Sequence, residues 1–181
     1  MSQLLRLIVT TLWLGVLLVP SAIPAASSGP GDPVILRISA GVSNPSSAPS
    51  VVTPTKLVSF AISEADLRQL DLRQVITSTP WTTGRHQFLG VSLSVLLDHL
   101  GFGGRSVEAF AINDYSVIIP GGGAAKEGPI VAFEMDGKPM SRREKGPLWI
   151  IYPYDESAKY RTETVYSRSI WQLNRIYILP E

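Results

Sequence analysis

The stretch AFEMDGKPMSRREKGPLWIIYP, residues 132–153, holds the signals that decide the fold. Asp136-Gly137 is a turn dipeptide, because both residues accept the left-handed backbone that a tight hairpin needs. It stands between PIVAFEM (129–135) and KPM (138–140), so this part reads as a hairpin. Three cations follow within four residues: Arg142, Arg143 and Lys145. Gly146-Pro147 then feeds straight into PLWIIYP (147–153), an apolar run that predicts a buried strand. Two readings of the cations stay open here: an anion-binding loop set against a sheet, or a polar turn ahead of a buried strand.

The same signals recur outward from this stretch. VILRISA (34–40), KLVSFA (56–61) and RQVITST (73–79) are β-branched and predict strands. SVEAFAINDYSVIIP (106–120) predicts two strands joined at Asn113-Asp114, and IWQLNRIYIL (170–179) a closing strand. Two short helices interrupt them. ISEADLRQL (62–70) has Ser63 as a cap, with Glu64 and Asp66 in the first turn, where the helix dipole favours acids. GVSLSVLLDHLGF (90–102) repeats Leu93, Leu96, Leu97 and Leu100 on one helical face, with Ser92 as cap and Gly101 as terminator. PWTTGRHQF (80–88), the Pro- and Ser-rich 41–55 and GGGAAKEG (121–128) read as loops. Many short strands with two helices predict a β-rich α+β domain over residues 34–181.

Ahead of it, Arg6, the 13-residue apolar run Leu7–Val19, Pro20 and then small residues have the layout of a secretory signal peptide, assigned to residues 1–26. Residues 27–33, SSGPGDP, read as a flexible lead-in. Without Arg6 the 16 basic residues become 15, equal to the 15 acidic ones. A nucleic-acid partner would want a strongly basic surface, so that class is set aside. The charge is uneven: residues 57–136 carry 5 basic and 9 acidic side chains, residues 138–175 carry 8 and 4. The C-terminal third is therefore the place expected for an anionic ligand. The chain has no cysteine, so thiolate nucleophiles, thiolate metal ligands and thiol redox chemistry are absent.

His86 and His99, 13 residues apart, lack metal-ligand spacing. His99 reads as a surface or structural residue. No GxSxG elbow occurs. Glu134 and Asp136 read as surface and turn residues. What remains is cations beside aromatics: Arg85 and His86 after Trp81; Arg142, Arg143 and Lys145 before Trp149; Arg161 and Arg168 among Tyr160, Tyr166 and Trp171. Guanidinium forks suit phosphate or carboxylate, and indole faces suit flat rings.

Four ordered stretches, FLGVSLSVLLDHLG (88–101), FAINDYSVIIP (110–120), AFEMDGKPMSRREKGPLWIIYP (132–153) and WQLNRIYI (171–178), resemble the sulfite-oxidase-type molybdopterin-binding domain. The resemblance implies a β-rich, mixed-sheet, barrel-like fold with short helices, and is nearest to a small exported branch of that family. In the family's enzymes a cysteine upstream of the first of these stretches binds molybdenum. Here that region, VITSTPWTTGRHQF (75–88), offers only Thr77, Ser78 and Thr79, and neutral hydroxyls replace a soft thiolate poorly. Holo-proteins of the family leave the cytoplasm folded through a twin-arginine signal, whereas this N-terminus is Sec-like. The expectation is thus an exported, periplasmic or secreted, non-redox binding or interaction module without cofactor, catalytic residue, metal ligand or, after cleavage, transmembrane segment. It would hold a small anionic or ring-bearing ligand, or a protein partner. The candidate contacts are Trp81, Arg85, His86, Asp114, Arg142, Arg143 and Lys145, with Arg85 and Arg143 as anion donors and Trp81 as the stacking face. The alternatives are a periplasmic molybdopterin-dependent oxidoreductase with an oxygen ligand, and an accessory or sensory partner of a membrane signalling protein.

Overall fold

A computed structural model describes residues 32–42, 56–124 and 128–180. The signal peptide assigned to 1–26, the lead-in apart from Asp32 and Pro33, and residues 43–55 of the predicted loop lie outside them. No helix among the described residues is long and apolar enough to cross a membrane.

The elements run β1 (Val34–Val42), β2 (Lys56–Ser63), α1 (Glu64–Arg68), β3 (Leu72–Ser78), β4 (Arg85–Ser92), α2 (Leu93–His99), β5 (Val107–Ala111) and β6 (Ser116–Ile119). They continue with β7 (Ile130–Met135), β8 (Lys138–Pro139), β9 (Trp149–Ile151), α3 (Glu163–Arg168) and β10 (Leu173–Ile178). One sheet has the order β2-β1-β10-β5-β6; β1 and β10 are parallel and the other pairs antiparallel. The second is antiparallel, β3-β4-β7-β8, with β9 also paired to β7. The α+β, strand-rich class is therefore as expected. The barrel-like closure is not: both sheets are open, with β2 and β6 as edges of the first and β3 as an edge of the second.

Alternation sets the inner faces. In β1, Leu36, Ile38 and Ala40 are buried while Arg37 is exposed. Ile38 pairs with Ile176 of β10, so the core face runs across the strand boundary, and Arg37 pairs with Arg175 on the outer face. PLWIIYP behaves as its composition demands: Leu148 to Ile151 are fully buried. The Asp136-Gly137 turn has φ of 53° and 73°, the left-handed pair that joins β7 to β8.

At α1, Ser63 Oγ accepts from the Asp66 amide at 3.2 Å and Asp66 Oδ2 accepts from the Ser63 amide at 2.8 Å, a reciprocal capping box. The second helix starts later than its sequence pattern. Gly90, Val91 and Ser92 belong to β4, paired with Ile130–Ala132 of β7, and the Leu93 amide donates to the Pro129 carbonyl rather than to a Ser92 side-chain cap. The 80–88 loop is likewise shorter, because Arg85–Phe88 pair with Val75–Ser78 of β3. Their side chains are polar apart from Phe88, so they carry no strand alternation. Helix α3 leaves no periodic signal in the sequence for a corresponding reason: it buries only Val165, although Thr162 caps it by accepting from the Val165 amide at 3.3 Å. The last strand begins at Leu173, three residues after the predicted start, because Gln172 takes φ 52°.

Candidate functional site

The two sheets are joined along a seam between residues 145–150 and 169–173. Trp149 and Trp171 form an isolated antiparallel bridge. The Gln172 amide donates to the Lys145 carbonyl at 2.8 Å, the Leu173 amide to Leu148 at 3.0 Å, and the Ile150 amide to Ile170 at 2.9 Å. Trp149 is fully buried there, and its Nε1 donates to the Ser169 carbonyl at 3.1 Å. Burying an indole demands a partner for that N–H, and the seam supplies it.

Aromatic rings gather on one side of the seam. Trp81 lies 5.9 Å from Trp149, 5.5 Å from Trp171 and 6.0 Å from Tyr166 between ring centroids, with the last two pairs edge-on. The geometry is the one that ring quadrupoles favour. Trp81 is held by its own loop, since its amide donates to Thr79 Oγ1 at 3.1 Å. Beside it opens a cavity of about 420 Å³, walled by Trp81, Tyr115, Tyr166 and Trp171, with Ala111 and Ile170 adding apolar surface and Asn113, Ser167 and Ser169 polar groups. Ser169 is fixed: its Oγ accepts from the Tyr154 hydroxyl at 2.5 Å and donates to the Val165 carbonyl at 2.9 Å. Burial pushes the Tyr154 phenol well above its ordinary pKa, so the bond keeps its proton across the physiological range. Among the described residues, none that lines the cavity carries a formal charge. Lys145 touches the wall from outside: its ammonium lies 4.1 Å from the Trp171 ring centre and 5.3 Å from that of Trp149.

Of the seven expected contacts, the structure brings Trp81 and Lys145 to this aromatic cluster. The others sit elsewhere. Arg85 lies at the start of β4, where its Nε faces Asp155 Oδ2 at 3.1 Å and Nη2 donates to the Ile76 carbonyl at 3.2 Å. Asp155 also accepts from the Ser78 amide at 2.8 Å and from Ser78 Oγ at 2.7 Å, and these bonds, with Arg85, hold its carboxyl below the ordinary range. Both His86 nitrogens are engaged, Nδ1 with Asp136 at 2.6 Å and Nε2 with the Thr83 carbonyl at 3.1 Å. The His86 bond, with the Gln87 amide, lowers the Asp136 pKa. Asp114, in the β5–β6 turn at φ 65°, accepts from Arg175 at 2.7 Å. Arg142 and Arg143 are exposed on a 3-10 turn, Arg142–Glu144.

The oxygen donors that the resemblance puts forward do not fit a molybdenum ligand. Thr77 is fully buried; its Oγ1 accepts from the Asp155 amide at 3.1 Å and donates to the Ser78 carbonyl. Ser78 is bound to Asp155, and Thr79 is paired with Thr82 at 2.8 Å. All three hydroxyls are neutral and already committed inside the fold. Among the described residues no three His, Asp or Glu side chains converge as a metal-binding group.

Tyr166 and Trp171 stood out in the sequence only as aromatics beside Arg161 and Arg168. Tyr115, Asn113, Ser167 and Ser169 carried no binding signal, because a turn and a short helix deliver them to the cavity from distant parts of the chain. Gln172 at φ 52° is what turns Trp171 out of the β10 alternation and into the wall. No protein-family model and no curated protein matches this sequence.

Proposed function

We propose that the chain is an exported, non-redox binding module, built on a scaffold similar to the sulfite-oxidase-type molybdopterin-binding domain, that holds a small ring-bearing ligand in the aromatic cavity. The cavity carries this reading. Its volume of about 420 Å³ suits a compact organic molecule, and its make-up is that of a ligand site: mostly apolar and aromatic, with a few fixed polar groups. The indoles and phenols offer stacking surface at low entropic cost. Asn113, Ser167 and Ser169 supply orientation. The Lys145 ammonium against Trp171 favours a neutral or anionic ring over a cationic one, which would meet a like charge. Arg85 and His86 act in this reading as braces of the β3–β4 hairpin rather than as ligand contacts.

The test is purification of the protein from its native source, followed by mass spectrometry for bound small molecules and metals. Titration of any released compound into the apo-protein, read by tryptophan fluorescence, then measures affinity. A ring-bearing compound that quenches emission, and binds about 10-fold or more weakly to Trp171→Ala, supports the reading. Stoichiometric molybdenum would overturn it in favour of an oxidoreductase. A stoichiometric protein in place of a small molecule would overturn it in favour of an accessory partner.

A further inference from the structure

A second cavity, of about 550 Å³, is lined by residues of β1, β10, the β5–β6 turn and the segment before β9. Three of its lining side chains are arginines, Arg37, Arg142 and Arg175, and among the described residues no carboxylate lines it. Arg37 and Arg175 are direct neighbours across the parallel β1–β10 pair, so two cations stand side by side on the outer face of the sheet. Like charges placed in this way are unfavourable unless an anion lies between them. Arg175 is partly answered by Asp114 at 2.7 Å, and its guanidinium is oriented over the Phe110 ring at 5.1 Å. The Arg37 and Arg142 side chains have no hydrogen-bonding or ionic partner among the described residues. Arg142 is nevertheless placed: its carbonyl accepts from Gln172 Nε2 at 2.6 Å, which ties the turn to the base of β10. Apart from Asn174 the remaining wall is apolar, with Val34, Ile112 and Pro147 foremost, and both Val34 and Ile112 are exposed.

We infer that this cleft is a binding site for a small organic anion, a carboxylate or phosphate head on a short apolar body. Arg37, Arg142 and the free edge of Arg175 take the head, and Val34, Ile112 and Pro147 take the body. Guanidinium forks recognise both kinds of head through paired N–H···O bonds. The apolar wall distinguishes the site from a patch that gathers inorganic ions, because a bare ion leaves that wall in water. The site shares no lining residue with the aromatic cavity, so the two stand or fall separately.

The experiment is a titration of ¹⁵N-labelled protein with hexyl phosphate, hexanoate and inorganic phosphate, followed by backbone amide shifts. The expected result is saturable binding of hexyl phosphate, hexanoate or both, with shifts at Val34, Arg37, Ile112 and Asn174. Inorganic phosphate is expected to bind more weakly. Arg37→Gln and Arg142→Gln, both at exposed positions and keeping two of the three stem methylenes, are each expected to weaken binding about tenfold. Arg143→Gln on the same turn, and Trp81→Ala in the aromatic cavity, are expected to leave it unchanged. Absence of saturable binding overturns the inference. So does equal affinity for inorganic and hexyl phosphate, or a double Arg37→Gln/Arg142→Gln variant that binds like the parent while keeping its amide dispersion.

Discussion

Asp155→Ala separates a structural clamp from a ligand contact. The Asp155 carboxylate accepts two hydrogen bonds from Ser78, at 2.8 and 2.7 Å, and faces Arg85 at 3.1 Å. These contacts hold the end of β3 to the segment after β9. Each bond onto a carboxylate is worth about 1.5 kcal/mol net, and the Arg85 pair less than about 1 kcal/mol because its arginine is largely exposed. Asp155 is itself a quarter exposed, so water recovers part of the loss. The expected cost is about 2–3 kcal/mol, which for a domain of this size lowers the melting temperature by about 5–10 °C. Urea unfolding followed by tryptophan fluorescence measures it. Arg85→Ala, as the control, should cost less than about 1 kcal/mol. The pH dependence follows from the lowered carboxyl pKa, caused first by the Ser78 hydroxyl and then by its amide. A carboxylate with a depressed folded-state pKa stabilises fully above its unfolded value of about 3.9, and that stabilisation disappears as pH falls through the folded value. The gap between parent and Asp155→Ala should therefore be constant from neutral pH to about pH 5 and shrink steadily below pH 4. A gap that does not change with acid, or an Arg85→Ala variant as damaging as Asp155→Ala, would refute the clamp.

The neighbouring tyrosines should respond in opposite directions. Tyr154→Phe removes the 2.5 Å bond to Ser169 and should cost about 1 kcal/mol, whereas Tyr152→Phe removes a buried hydroxyl that has no partner among the described residues and should be neutral or mildly stabilising. Burial pushes the Tyr152 phenol up to about 12, so ultraviolet titration should find this tyrosine still protonated at pH 10.5. Gly90→Ala places a methyl 2.2 Å from the Val131 carbonyl oxygen, where β4 and β7 change register. Equilibrium unfolding should show a loss of about 3 kcal/mol or more; a loss below about 1 kcal/mol would mean that the two strands can move apart.

Signals confined to a few neighbouring residues survived into the structure. The Asp136-Gly137 and Asn113-Asp114 turns, the Ser63 capping box and the run of buried residues from Leu148 to Ile151 depend on local backbone preference or on unbroken hydrophobicity, and all are where the sequence puts them. Boundaries failed where pairing overrode periodicity. Gly90–Ser92 look like the first turn of the leucine helix, but their backbone is used by β7. Arg85–Gln87 look like loop because they are polar, yet they lie on a hairpin whose partner strand sets their extension. The site failed in a third way. Trp81 could be chosen as a stacking ring, but its companions come from residues 111–115 and 166–171, and the gathering depends on sheet order, which no local pattern encodes.

The cavities lie where they do because the seam is not a continuous ladder. Strand β9 has only three residues, and its pairing with the segment before β10 is a single isolated bridge, Trp149–Trp171, flanked by separate backbone hydrogen bonds. Lys145 and Gln172, joined by a backbone hydrogen bond, both adopt positive φ, 88° and 52°. Left-handed backbone in non-glycine residues is held only where surrounding bonds over-determine it, and here it turns the two chains away from regular pairing. The aromatic cavity opens on the side of Trp171, and the arginine cleft on the side of Asn174 and Arg175. The cations of residues 142–145 are divided by the same geometry, Lys145 lying against the indoles and Arg142 on the wall of the cleft. The turn that reads as one basic cluster in sequence thus serves two separate surfaces.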